Sequence, residues 1–209
     1  MPRPLILRQA GVGPWPMNAY ALICPESGGA ALIDPGAEPE TLMGLLEGAR
    51  PERILLTHSH PDHVGALDAM RRRLALPVWA YDAPHLGGLR PDHAFGDGAR
   101  IPVGRRQLRV RHAPGHIEDQ VCLELEGEAR VIVGDTLFEG GPGRTWSAAG
   151  FRTTLETLRR VVLPWPDATR CYPGHGPSFR LGDHRPAIEA FLARDHGDFF
   201  GDATWESGR

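Results

Sequence analysis

Thr57-His58-Ser59-His60-Pro61-Asp62-His63-Val64-Gly65 puts three imidazoles and a carboxylate into the six positions from 58 to 63, directly after the apolar run Arg53-Ile54-Leu55-Leu56. That run reads as a buried strand over Ile54 to Thr57. Side chains on an extended chain repeat every two residues, so His58 and His60 face the same way. Asp62 and His63 follow at the turn, before a helix expected over Val64 to Leu74. The loop can therefore offer His58 and His60 to one centre, and Asp62 and His63 to another. Neutral imidazole and carboxylate suit a borderline divalent metal such as zinc or iron.

Upstream of the loop, Leu5 to Leu7 and Ala19 to Cys24 read as strands, and Ser27-Gly28-Gly29 as a hairpin turn. Ala30 to Asp34 returns as a strand and breaks at Asp34-Pro35-Gly36. Glu38 to Glu47 has helical spacing, with Leu42, Leu45 and Leu46 on one face. Downstream, Pro77 to Tyr81 is a strand. Asp82 to Arg100, rich in Gly, Pro, Asp and His, is a loop with room for a short helix. Gln107 to His112 is a strand, and Gln120 to Glu126 with Arg130 to Gly134 a second hairpin. Phe151 to Val162 is an amphipathic helix, Arg170 to Tyr172 a short strand, and Ile188 to Ala193 the last helix. Two such runs of strands and helices predict two sheets packed face to face with helices outside. No linker separates them, so residues 1–209 read as a single domain.

Composition narrows the function classes. The chain has 209 residues, is 41% apolar and carries a formal charge of −3. With a pI near 6.4 it lacks the basic surface of an electrostatic nucleic-acid binder. All 23 basic residues are arginine, which GC-biased codon usage explains. Arg71-Arg72-Arg73 and Arg105-Arg106 read as solvated faces. Cys24, Cys122 and Cys171 are odd in number and form no CxxC, so a disulfide framework is not expected. That fits a reducing, cytoplasmic setting. No signal peptide or membrane-length apolar run is evident.

Three later residues supply what the loop lacks. His116 and His175 each sit on a Pro-Gly turn at a strand end, and Asp135 follows Val131-Ile132-Val133-Gly134 at another. His58-x-His60-x-Asp62-His63 with His116, Asp135 and His175 resembles the metallo-β-lactamase superfamily, as does Leu32-Ile33-Asp34-Pro35-Gly36. The resemblance spans nearly the whole chain. It implies an α+β fold, an αββα sandwich of two mixed β-sheets flanked by helices, with the metal site at one edge of the sheets. It implies a first metal held by His58, His60 and His116, and a second by Asp62, His63 and His175, with Asp135 bridging. The two ions would be divalent, zinc first, with iron or manganese as alternatives. Two ions about 3.5–4 Å apart can share a hydroxide that attacks a carbonyl carbon, one of them stabilising the developing oxyanion. Asp62 is then a catalytic candidate that orients the nucleophile or accepts a proton. Asp34 either orients a ligand histidine or merely starts the turn.

Within the superfamily, Asp135 argues against the true β-lactamases and His60 against the di-iron flavoprotein branch. Gly134-Asp135-Thr136-Leu137-Phe138-x-Gly140-Gly141-x-Gly143-Arg144-Thr145 and Pro173-Gly174-His175-Gly176-Pro177 are similar to glyoxalase II, the hydroxyacylglutathione hydrolases, and its short relatives. The resemblance implies hydrolysis of a thioester or ester of the S-lactoylglutathione type, and gives Arg144 and Trp146 substrate contacts. The helical C-terminal domain of the longer enzymes is missing, and Trp146 stands where the short relatives carry an aspartate. Alternatives are a mononuclear iron persulfide dioxygenase-like oxidoreductase, a lactonase, and a non-catalytic metal-stabilised binding module. The expected partner is a small molecule, possibly a glutathione thioester, with neither nucleic acid nor membrane, in a monomer or homodimer. The tail Phe191 to Trp205, with Phe199, Phe200 and Trp205, can fold back over the site or pair with a second subunit; the role of the whole stretch Phe191 to Arg209 is not fixed by the sequence.

Overall fold

The computed structural model describes residues 3–84 and 88–206. The first sheet is built from β1 (Ile6–Val12), β2 (Met17–Ile23), β3 (Gly29–Ile33), β4 (Arg50–Leu55), β5 (Val78–Tyr81) and β6 (His93–Phe95), in that order. Its first two pairings are antiparallel and its last three parallel. The second sheet contains β7 (Arg100–Val103), β8 (Arg106–His112), β9 (Val121–Leu125) and β10 (Arg130–Gly134). A small hairpin of β11 (Leu137–Phe138) and β12 (Gly141–Pro142) follows, then β13 (Arg170–Pro173) and β14 (Phe179–Arg180). The order in the second sheet is β14-β13-β10-β9-β8-β7, with β10 and β13 parallel and the other pairs antiparallel.

Strand alternation divides the side chains into three apolar layers. Leu22, Ala31, Ile33 and Leu55 of the first sheet meet Leu108, Val110, Leu123 and Ile132 of the second, filling the space between the sheets. The opposite face of the first sheet, with Ala19, Ala21, Leu32 and Ile54, packs on Leu42 and Leu45 of α1 (Pro39–Leu45). Leu67 and Met70 complete that layer. The outer face of the second sheet, with Cys122, Val131, Val133 and Cys171, packs on Phe151, Leu158, Ile188 and Phe191. Both sheets are covered on both faces, which is why β3 is apolar at every position. The result is the expected αββα sandwich. The three cysteines lie buried and unpaired, and no described helix is long and apolar enough to cross a membrane.

Several expected boundaries move. The helix expected over Val64 to Leu74 is two pieces, α2 (Pro61–Val64) and α3 (Leu67–Leu74). Pro61 takes the first helical position, where its missing N–H costs nothing, so Asp62 and His63 lie within the first turn. The 82–100 stretch contains β6, paired with β5, and residues 85–87 lie outside the described residues. β7 is not among the expected strands, because only four residues at the sheet edge carry it. The helix expected over Phe151 to Val162 begins at the Ser147 cap as α4 (Ala148–Thr157), then widens to a π-turn over Leu158–Val162. That turn lets Leu158, Val161 and Val162 all reach the core. The last helix, α5 (Leu181–Leu192), runs through Pro186 because Leu181 and Ile188 are buried on either side of it.

Leu123→Ala opens a gap between the sheets and is expected to cost about 2–5 kcal/mol. Urea unfolding should show a lower midpoint with an unchanged slope. A cost below about 1 kcal/mol would mean that the layer collapses around the gap.

Candidate metal centre

Strand ends of both sheets converge on one edge. β4 runs into residues 56–60, which carry His58 and His60, and α2 carries Asp62 and His63. β8, β10 and β13 end just before His116, Asp135 and His175 respectively. The parallel pairing of β10 and β13 brings Asp135 and His175 out side by side. The two sheets are locked together here: Asn18 N–H donates to the Gly174 carbonyl at 2.7 Å, and the Tyr20 hydroxyl to the Pro173 carbonyl at 2.6 Å.

Two triads result. His58, His60 and His116 form one, and Asp62, His63 and His175 the other; in each, one ligand atom per residue lies within 4.8 Å of the others. Asp135 stands between them. Its Oδ1 is 3.4 Å from His63 Nε2, and its Oδ2 is 3.5 Å from His116 Nε2 and 3.7 Å from His175 Nε2. Asp62 Oδ2 is 3.1 Å from His175 Nε2 and 3.9 Å from His63 Nε2. The Gly174 Cα lies so close that a Cβ there would be 2.1 Å from Asp135 Oδ1. Only glycine lets the β13 turn pass the carboxylate.

The histidine rings are oriented from behind. His116 Nδ1 donates to the Arg144 carbonyl at 2.7 Å and His175 Nδ1 to the Pro16 carbonyl at 3.2 Å. His63 Nδ1 meets Asp34 Oδ2 at 2.9 Å, and His58 Nδ1 meets the Thr57 hydroxyl at 3.0 Å. Each of these contacts leaves Nε2 turned towards the centre, as metal-binding imidazoles are held. His60 presents Nδ1 instead, 2.8 Å from His116 Nε2. His58 Nε2, His63 Nε2 and Asp135 Oδ1 are buried without a hydrogen-bond partner among the described residues. Buried polar atoms are seldom left so. Three such atoms at one point, all nitrogen or carboxylate oxygen, fit divalent metal.

Protonation differs between the two halves. Burial holds His58 well below the ordinary histidine pKa, helped by His63, His116 and His60. Burial and the neighbouring His116 lower His60 to about 4. Burial opposes charge on His63, yet the Asp135 and Asp34 carboxylates on either side of its ring outweigh that and raise its pKa. The bond to Asp62 raises His175 and lowers Asp62 to about 2. Burial thus favours neutral imidazoles in the first triad, whereas the neighbouring carboxylates favour protonated His63 and His175 in the second.

Arg144 and Trp146 lie beside the triads. The Arg144 guanidinium sits 4.9 Å from the Trp146 ring centroid, and that ring meets His60 edge-on at 6.3 Å. Trp146 is 61% exposed, so it does not serve the core. A cavity of about 420 Å³ runs along His116, Asp135 and His175 to Phe138 and Arg144, and its far side is Asp202, Ala203 and Thr204. Of the tail Phe191 to Trp205, this segment does fold back to the site; residues 207–209 lie outside the described residues. Asp119 escaped the sequence reading. It is buried against Ser59, and burial raises its carboxyl to about 6. No motif marks it, and only its nearness to His116 in the sequence could have drawn notice.

Asp34 accepts from Thr57 N–H at 2.7 Å, the Thr57 hydroxyl at 2.6 Å and His63. Asp34→Asn is expected to weaken divalent-metal binding by about 10–100-fold, measured by competition with a chromogenic chelator. Full affinity would show that His63 needs no such support. Metal uptake should also release protons and tighten from pH 6 to pH 8, because His63 and His175 must deprotonate. Calorimetry in buffers of different ionisation heat reads the proton count, and identical heats would contradict it.

The metallo-beta-lactamase superfamily model matches residues 12–175. A hydroxyacylglutathione hydrolase of Anaeromyxobacter dehalogenans is 34% identical over 75% of this chain, which covers 60% of that protein. Hydroxyacylglutathione hydrolase GloC of Haemophilus influenzae is 29% identical over 81% of this chain and 92% of its own length. Among solved structures, the BLEG-1 B3 metallo-beta-lactamase has a TM-score of 0.77 at 30% identity, with coverage of 88% of this chain and 99% of that one. TTHA1623 in a di-iron-bound form gives 0.73 at 33%, covering 85% and 96%. ETHE1 from Myxococcus xanthus gives 0.79 at 26%, covering 91% and 86%. The match to the family model over most of the chain, on a fold with a three-histidine triad and an aspartate–histidine–histidine triad at one sheet edge, shows that the chain belongs to the metallo-beta-lactamase superfamily.

Proposed function

We propose that residues 1–209 act as one domain, a two-metal hydrolase of a thioester of the hydroxyacylglutathione type. The observation that carries this is Asp135, whose two oxygens face His63 on one side and His116 and His175 on the other. A carboxylate so placed can serve both triads at once. His58, His60 and His116 would hold one ion, and Asp62, His63 and His175 the other. Zinc is the first candidate, with iron or manganese in its place. When bound, such ions supply a Lewis acid and a water acidified towards neutrality.

The chain's own residues do the rest. Asp62 is lowered to about 2 by its bond with His175, so it stays ionised and can orient the attacking water. Its side chain is 43% exposed and faces the open side, where a substrate would enter. Water oxygen forms the new bond to the acyl carbon, the carbon–sulfur bond breaks, and the thiolate leaves with the proton that water gave up. Arg144 and Trp146 offer a cation and an aromatic face to the departing tail.

The likeness to hydroxyacylglutathione hydrolases over most of the chain supports the thioester. GloC does so without a large additional domain, since this chain spans 92% of it. Structural likeness to ETHE1 keeps a single-iron persulfide dioxygenase as the second reading. The 30% identity to a B3 metallo-beta-lactamase puts β-lactams, beside lactones, into the substrate panel, although Asp135 argued against them from sequence.

Protein purified without added metal is expected to carry about two first-row metal ions per chain. It should hydrolyse S-lactoylglutathione or a related thioester, and Asp135→Ala should lose at least about a hundredfold in kcat/KM and one ion. One iron per chain, with oxygen consumed on a persulfide, would establish the dioxygenase instead.

A further inference from the structure

The cavity beside the triads is closed on one side by residues 202–204. Thr145 N–H donates to the Gly201 carbonyl at 3.1 Å, and Gly201 N–H donates back to the Thr145 hydroxyl at 3.2 Å. Trp205 donates twice, from its backbone N–H to the Gly140 carbonyl at 2.9 Å and from Nε1 to the Glu139 carbonyl at 2.8 Å. Its ring is buried against Phe191 of α5. Gly141 passes so close beneath that a Cβ there would lie 2.2 Å from the Ala203 carbonyl oxygen. Residues 201–205 are thus pinned at both ends across the 139–145 loop. Between the pins, Asp202 Oδ2 accepts from Arg144 Nη1 at 2.7 Å.

We propose that Asp202 is a specificity-determining residue: it occupies the Arg144 guanidinium at the cavity wall, so a negatively charged substrate tail must compete with it. An anionic tail, glutathione's included, is thereby taken less readily than it would be without Asp202. The proposal rests on the thioester reading of the site. Arg144 is fixed for this role from three sides: Asp202 on one nitrogen, the Trp146 ring against the guanidinium, and its own carbonyl held by His116 Nδ1. The loop cannot retreat without moving His116. The ion pair is exposed, 51% at Arg144 and 75% at Asp202. Such pairs add little to folding. Breaking it is therefore cheap, and its effect appears in the choice between substrates.

The test uses two thioesters with one acyl group, one with a neutral amide tail and one with a carboxylate tail, on wild type, Asp202→Asn, Arg144→Gln and the double variant. Asp202→Asn should raise the anionic-to-neutral ratio of kcat/KM about three- to fivefold, chiefly through a lower KM for the anionic ester. The rise should vanish in the Arg144→Gln background and shrink at about 0.5 M salt. An unchanged ratio, or the same rise without Arg144, overturns the proposal. Wild type cleaving neither thioester overturns the thioester reading instead. Asp202 is then judged by binding of the matching uncleavable thioethers, followed by tryptophan fluorescence. Asp202→Asn must favour the anionic thioether over the neutral one, and failure to do so overturns the proposal.

Discussion

The buried carboxylate of Asp34 holds the site to the fold. It ends β3 in a left-handed conformation, φ 52°, which a non-glycine residue adopts at a cost. Three donors hold it there: the backbone and hydroxyl of Thr57 and the ring of His63. Thr57 leads into His58, and its hydroxyl also meets the His58 ring. One side chain thereby sets the end of β3, the exit of β4 and the first turn of α2. It also steers a histidine of each triad, one directly and one through Thr57. Gly36 completes the joint, since a Cβ there would fall 1.9 Å from the Asp62 carbonyl oxygen.

The second sheet meets this anchor with a different device. Its contributions arrive from three separate strand ends, and close backbone approach sets their spacing. Gly174 allows β13 to pass Asp135, and Gly143 plays the same part for the following loop, where a Cβ would lie 1.9 Å from the Asp135 carbonyl oxygen. Parallel pairing of β10 and β13 fixes the separation of Asp135 from His175. Hydrogen bonds from Asn18 and Tyr20 then hold the β13 turn to the first sheet. Each half of the site is rigid because it sits on a sheet, and the halves register because the sheets are bonded at this edge.

Side-chain chemistry was easier to read than geometry. His58, His60, Asp62, His63, His116, Asp135 and His175 stand out in the sequence because few structural roles call for so many imidazoles at strand ends. Two sheets with helices outside followed from the order of strands and helices, and the family resemblance implied the αββα sandwich. Short edge strands such as β6 and β7 carry too few residues to show a period. Pro61 starts a helix ahead of the expected Val64, and Pro186 sits inside one expected only from Ile188, which core burial carries through. Asp34 was ambiguous because a turn-starting aspartate and a histidine-orienting one look alike until the partner is seen. Asp202 was not legible at all. Its partner Arg144 lies 58 positions away, and nothing local marks an exposed aspartate as part of a site.

That contrast separates what the family determines from what the individual chain determines. The triads depend on buried atoms whose positions are fixed by backbone approach, and a change of a few tenths of an ångström would break them. The cavity wall depends on exposed groups, Arg144, Trp146 and Asp202, that can vary without touching the fold. A fold that keeps the first set and varies the second can present the same metal chemistry to different substrates. Solved relatives with names as different as a B3 metallo-beta-lactamase and ETHE1 share this sandwich at TM-scores of 0.77 and 0.79. For this chain, the deciding chemistry lies where residues 201–205 close over the site, because there a carboxylate and a guanidinium are already engaged with each other before any substrate arrives.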